Sequence, residues 1–265
     1  MPTTRVGDVD VAWDEAGTGE ALILVQGLGF AGEMWYRVVP LLAPRFRVIT
    51  IDNRGTGATG APPGPYTVEV MAGDVLAVMD AAGLDRANLL GISMGGLIVQ
   101  QVAFSAPERL RSLILVATSA GDPERSVAPP AEVAQILASR ASLPPRESIE
   151  ATIPIAYAPT TKRELIDEDI RRRLERPTSA EGYTHQLLGA SQWRGSVERL
   201  GQLKVPTLIV HGTDDGMVPV ANAQVLADAI PAAELQLIEG AGHVLMTDAP
   251  DELAKAITAF IDRRG

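Results

Sequence analysis

Gly91-Ile92-Ser93-Met94-Gly95-Gly96 is the stretch that decides how the chain is read. It follows an apolar run at 88–92 of strand length. It opens a run at 97–104 with helical spacing, which stops before Pro107. A serine framed as G-x-S-x-G between a strand and a helix is the sequence form of a sharp strand-to-helix turn. Such a turn holds the serine in a strained backbone conformation with its Oγ exposed, and the flanking glycines let neighbouring segments come close. The helix that begins there aims its free N–H groups and its dipole at the reacting centre. The plainer alternative is a serine in a glycine-rich turn that only packs. The strand–turn–helix context favours the nucleophile.

Outward from this turn the chain alternates. Strand-length apolar runs stand at 22–25, 48–51, 113–116, 207–210 and 235–238. Most show no polar alternation, which suits strands covered on both faces. Helical patterns lie between them. Thr67 is placed to cap a helix with Val68, Met71, Val75, Val78 and Met79 on its apolar face, ending near Gly83. Two more are predicted at 221–229 and 252–261. This order implies an α/β protein, a mostly parallel central sheet flanked by helices on both faces. Gly7-Asp8, between Arg5 and Trp13, predicts an antiparallel hairpin at the sheet edge.

After Ala120 the alternation breaks. Residues 121–200 contain no convincing strand, and helices are predicted over 131–141, 146–157, 162–175 and 180–193, punctuated by Pro129-Pro130 and Pro144-Pro145. The sheet pattern resumes at Val205. The expectation is a core domain made of 1–120 and 201–265, with a helical cap, 121–200, inserted between two strands. Such a cap would sit over the carboxyl ends of the strands, where open α/β sheets place their sites.

Composition narrows the function. With 265 residues, 46% of them apolar, the chain can build one large core. It has no cysteine, so disulfides, thiolate metal sites and a cysteine nucleophile are excluded. A net charge of −10 argues against nucleic acid. The basic cluster Arg171-Arg172-Arg173 stands among Glu164, Asp167, Glu168, Asp169 and Glu175, which reads as an exposed helix laced with ion pairs. No stretch approaches the roughly 20 apolar residues of a membrane span, and residues 1–7 show no signal peptide, so a cytoplasmic location is expected. Asp14-Glu15 and Asp122 with Glu124 lack a partnering histidine and read as solvated carboxylates rather than a metal site; no metal or organic cofactor is expected.

A serine needs a base, and there are three histidines. His243 ends Glu239-Gly-Ala-Gly-His243, just after the last predicted strand, where a loop can carry it to the carboxyl end of the sheet. His211, at the end of the 207–210 run, reads as a hydrogen-bonded structural histidine. His185 lies in the insertion and reads as surface or packed. The base in turn needs a carboxylate to fix its tautomer. Asp214 and Asp215 both follow the 207–210 strand, and spacing alone leaves both open. Two main-chain N–H groups should form an oxyanion hole: that of Met94, after the nucleophile, and that of Leu28, in the loop Gln26-Gly27-Leu28-Gly29.

Along essentially its whole length the sequence resembles the α/β-hydrolase superfamily. The landmarks are Gln26–Gly29, Asp52-Asn53-Arg54-Gly55-Thr56-Gly57, Gly91–Gly95, Gly212–Pro219 and Gly242-His243. Ser93, acid and His243 follow the chain order of that family. The family's Gly-x-x-Asp pattern, counted from Gly212, points to Asp215. Gln26 stands where the family usually has histidine. The segment from Asp52 resembles a turn that is usually structural. Within the superfamily the chain is similar to small bacterial esterases, 3-oxoadipate enol-lactonases and cofactor-free haloperoxidases, and less closely to C–C bond hydrolases. Ser93 stands where dehalogenases and epoxide hydrolases of this fold use aspartate, which argues against both.

The resemblance implies a serine hydrolase acting on a carboxylic ester or lactone of a small to medium, largely apolar substrate. Perhydrolase or C–C hydrolase chemistry would use the same Ser93, Asp215 and His243, and a non-catalytic protein capturing a small ligand under the cap is the remaining alternative. For the pocket, Phe30, Met34, Trp35, Met217, Val218 and Val244 are candidates from the core; Tyr157, Tyr183 and Trp193 are candidates from the cap. Arg140, Arg146, Arg163 and Arg194 are each placed in the cap where a substrate carboxylate could be bound, and the sequence does not choose among them.

Overall fold

β1 (Thr3–Val6) and β2 (Val9–Ala16) form the expected hairpin, with Val6 paired to Val9 across Gly7-Asp8. Gly7 takes φ +59°, a conformation that the two-residue turn requires and glycine supplies. This computed structural model describes residues 1–195 and 197–264. β3 (Glu20–Val25) pairs in parallel with β4 (Phe46–Ile51), and the other edge of β4 takes β2 antiparallel. β5 (Ala87–Ile92), β6 (Leu110–Val116), β7 (Thr207–Gly212) and β8 (Glu234–Ile238) extend the sheet in parallel from β3. The order is β1-β2-β4-β3-β5-β6-β7-β8.

Period-two alternation sends each strand's side chains into two cores. Ile23 and Val25 join one apolar cluster, Leu22 and Leu24 the other. α1 (Val39–Leu42) packs into the second cluster. The first takes α2 (Val68–Ala81), whose cap Thr67 accepts a hydrogen bond from the Val70 N–H, and α3 (Met94–Ser105).

Between β6 and β7 the described elements are all helical: α4 (Ala131–Ser139), α5 (Pro145–Glu150), α6 (Ile153–Ala156), α7 (Arg163–Glu175), α8 (Ala180–Gln192) and α9 (Val197–Leu200). The single helix predicted over 146–157 is therefore two. Thr152 Oγ1 donates to the Ile149 carbonyl at 2.8 Å, and Pro154 has no N–H with which to continue the ladder. α10 (Ala221–Ala229) joins the α2–α3 layer. α11 (Leu245–Asp248) and α12 (Pro250–Asp262) join the opposite one. α1 and α11, one turn each, are too short to leave a helical period in the sequence. No helix among the described residues is long and apolar enough to cross a membrane.

The order places the site. From β3 the chain crosses to β4 on one side and later to β5 on the other, so the sheet's switch point lies between β3 and β5. At that point the carboxyl ends of two adjacent parallel strands diverge into loops and leave a crevice. β3 ends in the Gln26–Gly29 loop and β5 ends at Ser93.

The turn after β4 holds that loop. Asp52 Oδ1 accepts from the Gly32 N–H at 2.7 Å and Oδ2 from the Ala58 N–H at 2.7 Å. Asn53 Nδ2 donates to the Gln26 carbonyl at 2.9 Å. Arg54 grips Asp74 of α2 with two bonds, at 2.7 and 2.6 Å, and both side chains are buried. Removing one partner of such a pair strands a charge in the interior. We expect Asp74→Ala to lower the urea-unfolding free energy by about 3–5 kcal/mol; a loss below ~1 kcal/mol would mean that water reaches Arg54.

Candidate active site

Ser93 sits between β5 and α3 with φ 55° and ψ −122°, a left-handed conformation that costs a non-glycine residue of order 1–3 kcal/mol. Its neighbours hold it there. The Ser93 N–H donates to the Val116 carbonyl at 3.0 Å, and the Ser93 carbonyl accepts from Thr118 Oγ1 at 2.8 Å and from the Gly96 N–H at 2.9 Å. Close approach is paid for in glycine: a Cβ on Gly91 would lie 2.1 Å from the Gly95 carbonyl oxygen, and one on Gly95 would lie 2.2 Å from that of Val25.

The acid comes from the loop after β7. Asp215 is buried, whereas Asp214 is exposed and turns toward Thr213. Asp215 Oδ1 accepts from the Met217 and Val218 N–H groups, both at 2.8 Å. Asp215 Oδ2 lies 2.8 Å from His243 Nδ1 and 3.1 Å from His211 Nε2. Burial pushes this carboxyl's pKa up. The charge of His243 and the hydrogen bonds from His211 and His243 outweigh that and hold it well below the usual carboxylate range. An ionised carboxylate only accepts, so Nδ1 of His243 carries the hydrogen and Nε2 is left with its lone pair.

His243 follows β8 on a loop fixed from two directions. A Cβ on Gly212 would meet the Ala241 carbonyl oxygen at 2.2 Å, so β7 and the loop run against each other. From the cap side, the Val244 N–H donates to the Ala156 carbonyl at 3.0 Å. Asp248 accepts from the Gly242 N–H at 2.8 Å, the Ala158 N–H at 3.1 Å and Thr161 Oγ1 at 2.6 Å.

Ser93 and His243 face one cavity of about 330 Å³ at the carboxyl end of the sheet. Its wall also holds Gln26, Gly27, Leu28 and Met94, among them both residues expected to supply oxyanion donors. Among the described residues no hydrogen bond joins Ser93 Oγ to the imidazole. Catalytic hydrogen bonds of this kind are often long without substrate and tighten in the complex.

Of the apolar candidates, Phe30, Met217, Val218 and Val244 line this cavity. Four others do not. Met34 lines a neighbouring cavity, as does Tyr183. Trp35 is fully buried in the core on the α12 side of the sheet. Tyr157 is buried with its hydroxyl donating to Asp169 at 3.1 Å, and Trp193 stacks on Phe104 at 6.4 Å and donates to Gln101. For Trp35, Tyr157 and Trp193 a large ring found more contact in the interior than a cavity wall offers. The wall is completed by aliphatic cap and α3 residues that the sequence did not single out, among them Leu97, Leu137 and Leu187.

Two polar residues also carry more than the sequence suggested. His211, expected to be structural, touches the acid itself; its place four residues before Asp215 was the available signal. The Gln26 side chain is buried in the cavity wall with its Nε2 unpartnered, and its Oε1 accepts only from the adjacent Gly27 N–H at 3.3 Å. The loop is instead held by Asn53 and by Gln186, which accepts from the Gly29 N–H at 2.9 Å. His185 lies away from the cavity, with Nε2 accepting from the Gly64 N–H at 3.3 Å.

The family model described as alpha/beta hydrolase fold matches residues 20–250. A protein of Azorhizobium caulinodans that bears the name carbamate hydrolase RutD is 29% identical over 266 residues, covering 98% of each chain. The 3-oxoadipate enol-lactonase 2 of Acinetobacter baylyi is 30% identical, over 96% of this chain and 94% of its own. Among solved structures, a thermophilic esterase from Thermogutta terrifontis superposes with a TM-score of 0.87 at 28% identity, covering 99% of this chain and 97% of that one.

The depressed pKa of Asp215 has a sign that can be measured. Its folded value lies below the unfolded value of about 3.9, so its contribution to stability is complete above that pH and is lost as pH falls through the folded value. We expect the unfolding free energy to decline less steeply between about pH 5 and pH 2 in Asp215→Asn than in the wild type. Equal slopes in the two proteins would contradict the ionised, hydrogen-bonded carboxylate.

Proposed function

The chain belongs to the alpha/beta hydrolase fold family, and from that premise we propose that it is a serine hydrolase cleaving a carboxylic ester or lactone through an acyl-enzyme on Ser93. The observation that carries this reading is the buried line from Asp215 to His243, 2.8 Å long, facing the same cavity as a serine strained at an elbow.

Each residue has one task. His243 Nε2 takes the proton of Ser93 Oγ as that oxygen bonds to the substrate carbonyl carbon. The carbonyl oxygen becomes an oxyanion between the N–H groups of Leu28 and Met94, each contributing about 3 kcal/mol to the barrier reduction. Asp215 keeps the imidazole in the Nδ1–H tautomer and balances the imidazolium that forms. The imidazolium returns its proton to the leaving alkoxide, the C–O bond breaks and the alcohol departs; with a lactone it stays tethered. Water then attacks the acyl-enzyme, gives its proton to His243, and the acid leaves as Ser93 regains its hydrogen. His211 is a positioning residue: with its Nε2 on Asp215 Oδ2 it limits that carboxylate to one rotamer.

The lining supports a small or medium acyl group of largely apolar character, since it includes Leu28, Phe30, Leu97, Met217 and Val244. The names of the relatives fit the same step, because an esterase and an enol-lactonase both transfer an acyl group from oxygen to water.

Labelling tests the nucleophile directly. An organophosphonate should add one adduct to the wild type, mapped to Ser93 by mass spectrometry, and none to Ser93→Ala. Turnover of aryl esters should fall by on the order of 10⁶ in Ser93→Ala and by about 10⁴ in Asp215→Asn. Ester hydrolysis that survives in Ser93→Ala at more than a tenth of the wild-type rate would sink the proposal.

A further inference from the structure

The cap holds two buried guanidinium groups, neither of which forms a direct ion pair among the described residues. Arg140, in the 3-10 turn after α4, is 5% exposed, and Arg173, in the last turn of α7, is 7% exposed. Arg140 Nε donates to the Ser148 carbonyl at 2.9 Å and Nη1 reaches the Tyr183 hydroxyl at 3.4 Å; the group lies 4.5 Å from the centre of the Tyr183 ring. Its Nη2 has no acceptor among the described residues. Arg173 lies 4.0 Å over the ring of Phe30, and its buried Nη1 has no partner. Neither forms an ion pair among the described residues. Burial and the neighbouring Arg140 charge pull the Arg173 pKa down to about 10, against the opposing charge of Asp169, whose oxygens are taken by the hydroxyls of Tyr36, Tyr157 and Thr247.

Their position gives the arrangement a use. Arg140 stands in the wall of the nucleophile's cavity, where it is the only formally charged side chain beside the histidine. It also stands in the wall of a second cavity, of about 350 Å³, with Arg173 and Arg176, and no other residue is common to both walls. The one carboxylate lining the second cavity, Glu33, takes its charge contacts from Arg176 and Arg172 rather than from this pair. The other cap arginines weighed from the sequence are at the surface. Arg146 pairs with Glu150, Arg163 with Asp167, and Arg194 caps backbone carbonyls of its own turn. A buried charge without a direct ion pair is costly, and a carboxylate oxygen would satisfy the free Arg140 Nη2.

Resting on the acyl-enzyme reading above, we propose that Arg140, backed by Arg173, is a carboxylate-binding subsite, and that the preferred substrates are esters or lactones with an apolar body and a free carboxylate at the end remote from the scissile carbonyl. The apolar wall of the cavity takes the body and Arg140 takes the carboxylate. The subsite sets specificity and leaves the chemistry to Ser93, His243 and Asp215.

Two measurements test this. The first compares p-nitrophenyl half-esters of succinate, glutarate and adipate, each against its neutral isostere with an isopropyl group in place of the carboxylate. For at least one length, kcat/KM should favour the half-ester about tenfold or more. Arg140→Gln should lower that preference at least tenfold, with Arg140→Lys in between, because lysine keeps the charge without the planar fork. Hydrolysis of the neutral esters with no preference for any half-ester overturns the subsite and spares the acyl-enzyme reading. Failure to hydrolyse either kind sinks the acyl-enzyme reading.

The second measurement needs no turnover. Calorimetry should show glutarate or adipate binding Ser93→Ala at least tenfold more tightly than Ser93→Ala/Arg140→Gln. Absence of dicarboxylate binding to Ser93→Ala, or inorganic phosphate bound as tightly, overturns the carboxylate assignment. Should Arg140→Gln fail to fold, by circular dichroism, the wild-type preference and the Ser93→Ala titration still decide.

Discussion

The site depends on a close approach of three backbones: the end of β3, the end of β5 and the start of α3. Gly95 of α3 comes so near the Val25 carbonyl, and Gly91 so near the Gly95 carbonyl, that a single added carbon at either would overlap a main-chain oxygen. This contact fixes the turn at Ser93 and its distance from the next loop, since a Cβ on Gly27 would lie 3.1 Å from Ser93 Cβ. The nucleophile and the expected oxyanion donors are therefore set by one packing event. The strain at Ser93 persists because the surrounding bonds from Val116, Thr118 and Gly96 over-determine it.

Charge is distributed with the same economy. The net charge of −10 lies largely on the surface, where it is interleaved with arginine, as along α7, in which Arg171 meets both Glu168 and Glu175. Exposed pairs of that kind contribute little to stability. Inside, Asp215 has four donors and is held ionised, whereas Arg140 and Arg173 have no carboxylate partner. The interior thus pairs Arg54 with Asp74 but leaves Arg140 and Arg173 without a direct ion pair among the described residues, although the chain as a whole is acidic.

Much of this was legible in the sequence, for identifiable reasons. Strands buried on both faces cannot hide their apolar runs, and the hairpin needed a glycine at Gly7. The elbow showed because its glycines are sterically obligatory. Burial and the contact with His243 separate Asp215 from exposed Asp214, and both are invisible to spacing. The pocket was the least legible part. Trp35, Tyr157 and Trp193 were read as lining because they are large and apolar, the same properties that drew them into the core. Leu137 and Leu187, which do line it, look like any helical leucine. Arg140 shared its composition signal with three surface arginines, and only the cap's packing, with Tyr183 under the guanidinium, distinguishes it.

The two halves of the proposed catalytic line are fixed to different parts of the molecule. Ser93 is referenced to the sheet through Val116 and Thr118. His243 is referenced to β7 through Asp215, and to the cap through the Val244–Ala156 bond and the three donors that Asp248 gathers from the base loop and the α6–α7 connection. The cap therefore covers the cavity and is also part of the scaffold that holds the imidazole. The α6–α7 connection is thus tied to the core by hydrogen bonds at His243's own loop.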